Sequence, residues 1–533
     1  MVHRGLCGLP SRRTAIRRGA RGGGAIPFIL FFVFGPAVAV SVDVQNPARG
    51  GTLRVGITSL STADALDPAM ATTPGGYAIA RQIFDTLTEF GSDGQMKMRL
   101  AESMVPDGSA DTWIVTLRKA RWQDGRPVTA DDVIFTIKRI MDSSAPLPPA
   151  SSLSFIDPSG MTKVDERTVR FKLAFPTMAF ADSFASPTLA IVPRDFNPAH
   201  PIGSGPFMLD TLEPGTRITF TANRSYWKSG EPFVERLQII GFPDSLSEVN
   251  ALIGGQVDIA SSIDPILAPL IEKAGSRLKI VEYPTTGTVT WQMNVARKPF
   301  DDARVRQALR LAVDRQQLID QVYDGHATLG NDIFSPDDAA YNKELPQREK
   351  NVGVAKQLLA AAGYTSGLKV VLTAASIQPT ADRQNEVLVH QAAKAGFDIV
   401  LNRVDTANYY GDAYGTYPLS LSFWGQLSIF EQAAFTVAKS APYNATHWRD
   451  DEYEALYQQA LRTVDDKARI GLVHRMQAIE YERGPYVVAA FLNNVSGYDS
   501  RLTGYRRYPN CDGASGYNFY EIGFAPSSWG ALN

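Results

Sequence analysis

Within residues 113–141 the hydrophobic period of the chain changes once, from two to 3.6, and that change limits the folds open to it. Trp113, Val115 and Leu117 alternate with Ile114, Thr116 and Arg118, the pattern of a strand with one buried face. Gln123-Asp124-Gly125-Arg126-Pro127 then supplies a turn. Thr129 is placed as a helix N-cap with Asp132 as its capping-box partner, and Asp131 suits the positive end of the helix dipole. Val133, Ile134, Ile137, Ile140 and Met141 come next at helical spacing. A chain made of such units must bury sheet faces against helices, which predicts an α/β fold.

The same alternation runs along the rest of the chain. Strands are expected at Thr52–Thr58, at Val169–Phe175, at Arg217–Thr221 and Leu237–Ile240, and, after a helix over Ser247–Ile253, at Val257–Ala260. The Pro- and Ser-rich stretch 143–159 reads as a loop, and residues 202–207 as a tight turn. Longer helices begin near 285. Asp302 caps one whose apolar positions are Val305, Ala308, Leu309, Ala312 and Val313. Helix Ala355–Ala362 ends at Gly363; strand Leu368–Thr373, helix 381–395 and strand Phe397–Val404 form a βαβ unit. Helices over 450–463 and 465–482 precede an apolar run, Tyr486–Leu492. At 533 residues, two or three domains are expected.

The first 39 residues read as a targeting segment. Six arginines and no acid precede the apolar run Ala25–Val40, and Ala37-Val38-Ala39 offers the small residues of a cleavage site. That run of 16 residues is shorter than the ~20 of a membrane-spanning helix. Ser11–Arg17 also resembles a twin-arginine signal, which leaves both export routes open. Cleavage near Ala39 would deliver a periplasmic protein. Residues 40–533 hold 47 basic against 55 acidic residues, a balance that gives no electrostatic reason to bind nucleic acid or anionic lipid. Cys7 lies in the segment removed, so Cys511 is alone and no intrachain disulfide is expected.

No catalytic signature stands out. His200, His326, His390, His447 and His474 show no metal-ligand spacing, and neither HExxH, CxxC, G-x-S-x-G nor a phosphate-binding loop occurs. Ser225-Tyr226-Trp227-Lys228 fits S-x-x-K, but it overlaps its would-be partner motif Lys228-Ser229-Gly230, so the two cannot line opposite walls of one pocket. The acid pairs Asp131/Asp132 and Asp301/Asp302 fall at helix starts, where the dipole accounts for them. No enzyme activity, metal or cofactor is expected.

Five blocks resemble the extracellular solute-binding proteins of family 5, the peptide/nickel/opine class that serves ABC importers. They are Trp113–Arg139, Gly203-Ser204-Gly205-Pro206-Phe207, Asn223–Trp227, Gly254–Ile259 and Pro299–Arg315, in the family's order. The resemblance implies a two-lobed periplasmic-binding-protein fold with an extra subdomain in lobe one, the large, cluster C type. After the signal segment at 1–39, it places lobe one at 40–284, lobe two at 285–489 and the return to lobe one at 490–533. A small solute would be enclosed between the lobes of a monomer, and the closed form handed to a membrane permease. In peptide-binding members an aspartate after a Trp-containing strand pairs with the ligand's amino terminus. The corresponding run here, Leu419–Phe430, lacks that acidic motif, and Glu431 is the nearest acid. Peptides, opines and sugars therefore stay open as ligands. Aromatic walls with a few placed polar groups suit such a site, and the candidates are Trp424, Gln426, Trp291, Asn294, Tyr77, Glu431 and Tyr443. For Trp424 and Trp291 a place in the core is the competing expectation. A secreted hydrolase, or a ligand-sensing protein without transport, is the alternative from another class.

Overall fold

The computed structural model describes residues 47–526 except 59, 72, 376–379, 410–412, 426, 440, 510 and 512. The expected signal segment and its cleavage site lie outside the described residues.

Thr52–Ile57 is the centre of an eight-stranded sheet, paired in parallel with Arg236–Gly241 on one side and Ile259–Ala260 on the other. Both faces of such a strand are covered, and its apolar residues are buried. Arg217–Ala222 and Phe207–Glu213 extend the sheet at one edge; Ala490–Asp499 and Leu278–Pro284 extend it at the other, where Ala327–Leu329 also pairs with Ala490–Asp499. The Trp113–Arg139 block forms a separate layer. Strand Thr112–Leu117 lies inside a four-stranded antiparallel sheet with Ala101–Pro106, Thr168–Leu173 and Ile156–Asp165, and helix Ala130–Ile140 packs on it. Asp132 accepts from the Thr129 amide at 2.8 Å, closing the expected capping box.

The stretch 143–159 is not wholly a loop: a short 3-10 turn at Pro148–Leu153 leads into strand Ile156–Asp165. Pro158 and Gly160 hide that strand, whose register shifts between Ile156 and Met161 as a bulged edge allows.

The second lobe has its own five-stranded sheet, in the order Phe397–Arg403, Leu368–Ala374, Leu419–Trp424, Thr288–Met293, Tyr486–Val487. The expected βαβ unit is its parallel edge, with helix Ala381–Lys394 between the paired strands. Its core gathers Trp291, Leu309, Leu372, Leu388 and Leu421.

The apolar run Tyr486–Leu492 belongs to both sheets. Val487 ends a strand of the second sheet and Ala490 begins one of the first. Likewise Pro284 ends a first-sheet strand and Thr288 begins a second-sheet strand. Residues 285–287 and 488–489 thus carry the chain between the lobes. The two crossings are held together: Thr285 N–H donates to Leu492 O at 3.1 Å and Leu492 N–H to Gly287 O at 2.8 Å.

Candidate functional site

Four of the five sequence blocks build scaffold in the first or second lobe, and their polar side chains are consumed there. The carboxylate of Asp85 receives the hydroxyls of Tyr226 (3.1 Å) and Ser204 (3.1 Å), the Trp227 indole N–H (3.0 Å) and the Arg99 guanidinium (2.6 Å). The Gly203–Phe207 turn and Asn223–Trp227 therefore meet at one buried acid. Gly203 and Gly205 are required by close approach, since a Cβ on Gly203 would sit 1.7 Å from the Ile83 carbonyl oxygen. Asp258, from the block at Gly254–Ile259, accepts from Arg54 through both backbone and side chain. In the block Pro299–Arg315, Arg315 forms a two-pronged ion pair with buried Asp332 at 2.8 Å, and Arg310 donates to the Tyr486 and Gly484 carbonyls.

Unfilled space lies instead between the lobes, in two cavities. One, of about 310 Å³, is walled by Thr58, Ser261, Asn494 and Tyr517 of the first lobe and by Tyr323, His326 and Phe423 of the second. Its lining is mainly apolar surface, from Ile57, Ile263, Phe423, Leu492 and Val495, with hydroxyl and amide groups set among it. His326 Nδ1 lies 2.9 Å from Glu282, whose other oxygen accepts from Asn493. The Tyr323 hydroxyl donates to Gln384, and the Ser261 hydroxyl accepts from the Ala514 amide at 2.9 Å. These fixed partners orient the wall before any ligand arrives.

The other cavity, of about 500 Å³, lies between the four-stranded layer and the second lobe. Phe90, Met96, Trp113, Met178 and Phe430 give it apolar walls; Asp182, Asp338, Ser428 and Arg469 give it polar ones. The crossing segment serves both spaces, with Thr285 and Gly287 on the first and Thr286 on the second. Successive residues of extended backbone face opposite ways, which accounts for this division. Burial raises the Asp182 carboxyl to about 7, helped by the negative charges of Glu431 and Asp338 and opposed by Arg469.

Away from the crossings the lobes touch. The Met178 amide donates to the Leu461 carbonyl at 2.8 Å, and Ala179 packs into an apolar cluster with second-lobe residues Leu461, Met476 and Phe334.

The sequence candidates scatter. Trp291 is a correction: it is 0% exposed in the second-lobe core, and its indole N–H is satisfied by Asn385 at 2.9 Å. Asn294 is a second correction. It is 2% exposed and clamps local backbone, donating to Gly415 O and accepting from the Ala296 amide, both at 3.0 Å. Glu431 closes a capping box with Ser428 at the start of helix Ile429–Thr436, so it acts on the larger cavity through its charge. Tyr77 is half-buried on helix Pro74–Ile83, packed against the first-lobe core, one turn from Pro74 at the smaller cavity. Trp424 ends its strand beside Phe423, and its buried indole N–H finds no acceptor among the described residues. Tyr443, 49% exposed, meets the Trp424 ring edge-on at 6.4 Å. Gln426 lies outside the described residues.

Sequence reasoning missed Asp182, Thr286, Asp338 and His326 as lining residues. Asp182 did carry a signal, a lone acid inside the apolar run Phe180–Ala185. The others belong to no pattern, because the cleft draws single residues from remote segments.

Comparison with known proteins places the chain clearly. Residues 95–444 match the family model for bacterial extracellular solute-binding proteins, family 5 Middle. The chain is 28% identical to di/tripeptide-binding protein 1 of Pseudomonas aeruginosa, over 79% of this chain and 85% of that protein. It is 25% identical to the glutathione-binding protein GsiB of Escherichia coli O157:H7, over 91% and 97%. Among solved structures, the binding protein AgaA of A. tumefaciens R10, in complex with agropinic acid, superposes with a TM-score of 0.75 at 26% identity. That match covers 89% of this chain and 99% of that one.

Proposed function

The chain belongs to the bacterial extracellular solute-binding proteins of family 5, and from that premise we propose that it captures a peptide- or opine-like solute between its lobes in the periplasm and presents the closed form to an ABC permease. The observation that carries this reading is the cleft: two cavities walled from both lobes, closed by the Met178–Leu461 contact and spanned by two short crossings. Ligand contacts made with both lobes exist only in the closed form, so a bound solute favours closure by its differential affinity for that state. Related proteins of this family bind di- and tripeptides, glutathione and agropinic acid, which supports a small, multiply polar solute. In this reading the protein makes and breaks no bonds. Its polar groups at the cleft are held by neighbours, Ser261 by the Ala514 amide and His326 by Glu282.

The test is a melting-temperature screen of purified, refolded protein against small peptides, opines, glutathione and oligosaccharides. A binder present at a hundred times its Kd stabilises the native state by ~2.7 kcal/mol. The expected hit raises the melting temperature, decreases the radius of gyration in X-ray scattering and competes for uptake by cells carrying the cognate permease. A full panel that changes neither melting nor scattering overturns the reading.

A further inference from the structure

We propose that the larger cavity is a cation-recognising subsite of the cleft, in which Asp182 pairs with an ammonium or guanidinium group of the solute and the Thr286 hydroxyl hydrogen-bonds a polar group elsewhere on it. This rests on the reading that solute binds between the lobes, and it narrows the chemistry of that solute.

Asp182, Asp338 and Asp466 line this cavity and Glu431 lies close by, and these four carboxylates are not equivalent. Asp338 already accepts from the Ile429 and Ala340 amides, at 3.1 and 2.9 Å. Glu431 accepts from the amide and hydroxyl of Ser428, at 3.0 and 2.9 Å. Asp182 lines the cavity, and its carboxylate accepts no hydrogen bond from the described residues. Arg469, the one cation among the described lining residues, donates to the Thr463 and Val464 carbonyls and pairs with Asp466. It leaves Asp182 without an ion pair.

The second observation comes from the crossing segment. Thr286 is 4% exposed, lines the same cavity, and its hydroxyl has no partner among the described residues. A buried hydroxyl left unsatisfied in the free protein marks a place for a ligand atom. The walls of Phe90, Met96, Trp113 and Met178 fit an alkyl or aromatic body between that hydroxyl and the charge. Asp182 titrates at about 7 because burial disfavours its charge, Glu431 and Asp338 add to the effect, and Arg469 opposes it. A cation seated beside Asp182 reverses this balance and releases a proton on binding.

Binding is read by calorimetry on the full chain with four probes: Ala-Ala-Lys, its N-terminally acetylated form, its Nε-acetylated form, and the doubly acetylated peptide. Agmatine serves as a non-peptide cation of fixed charge. The expected result is that at least one cation-bearing probe binds and that the doubly acetylated peptide binds at least tenfold more weakly. The two singly acetylated forms tell whether the α-amine or the side chain occupies the site. Asp182→Asn is expected to weaken the cationic probes at least tenfold while leaving the doubly acetylated one unchanged, and Thr286→Val to weaken them several-fold. Agmatine affinity is expected to fall about tenfold per pH unit below 7 in the native protein and to lose that slope in Asp182→Asn. Equal binding of charged and acetylated probes, or cation binding indifferent to both substitutions, overturns the subsite. If neutral solutes bind and no cation does, the subsite fails while the binding reading stands; if nothing binds, both fall.

Discussion

Glu248 places one carboxylate oxygen on the Ser261 amide and leaves the other without a donor among the described residues, at 0% exposure behind the wall of the smaller cavity. Burial raises its carboxyl to about 8, and the Ser261 hydrogen bond only partly offsets that. The native chain therefore holds this proton more tightly than the unfolded chain does. Stability from this group is fully present below pH 4.5 and is lost as pH rises towards 8, a change on the order of 4 kcal/mol. Glu248→Gln keeps an acceptor for Ser261 and is expected to flatten the slope, measured by urea denaturation at pH 5, 6.5 and 8. Asp332 is a buried acid surrounded by Arg310, Arg315 and Arg348. Asp332→Ala strands three buried cations and frees the Val488 amide, so a loss of about 3–5 kcal/mol in the same assay is expected. Residues of this kind were hard to read in advance. Trp291 and Trp424 occur in the same sheet, yet one closes a core around its indole and the other ends a strand against a different apolar cluster. Both satisfy the same apolar alternation, and alternation does not say which cover a strand end receives.

At the scale of elements the sequence was far more legible. Capped helices announced themselves because the cap is local: Thr129 with Asp132 and Asp302 with the Arg304 amide are contacts within three residues. The equally local box of Ser428 and Glu431 went unread. Ser428→Ala is expected to cost about 1 kcal/mol in thermal denaturation. It also detaches Glu431 from its cap, so a shift in the pH dependence of cation binding accompanies the loss. The Gly203–Phe207 turn was recognisable from its residues, though its reason was not, because the crowding carbonyl belongs to Ile83, 120 positions earlier. Gly203→Ala drives a methyl into fixed backbone, and recovery of soluble protein in expression trials is expected to collapse. The strand Ile156–Asp165 went unread because bulging breaks its period, and Tyr486–Leu492 because one apolar run serves two sheets.

For the whole molecule the decisive variable is the balance between open and closed lobes. Ala179 is the point at which the first lobe enters an apolar cluster of the second. Ala179→Glu puts a charge into that contact and favours opening. Ligand Kd is expected to weaken about tenfold, with a larger radius of gyration in X-ray scattering and unligated melting little changed. What the sequence alone determined was the α/β composition, most element positions and the family. Periodicity, caps and the five blocks act over short range, and the buried networks around Asp85 and Asp332 tie those blocks to the fold. The same networks consume the polar groups of the blocks, which is why the most recognisable residues say little about the solute. Tertiary structure alone decided the cleft. Asp182, Thr286 and Asp338 come from distant segments and share a cavity only after both lobes have folded and met, and a contact made by long-range closure leaves no period in the chain that forms it.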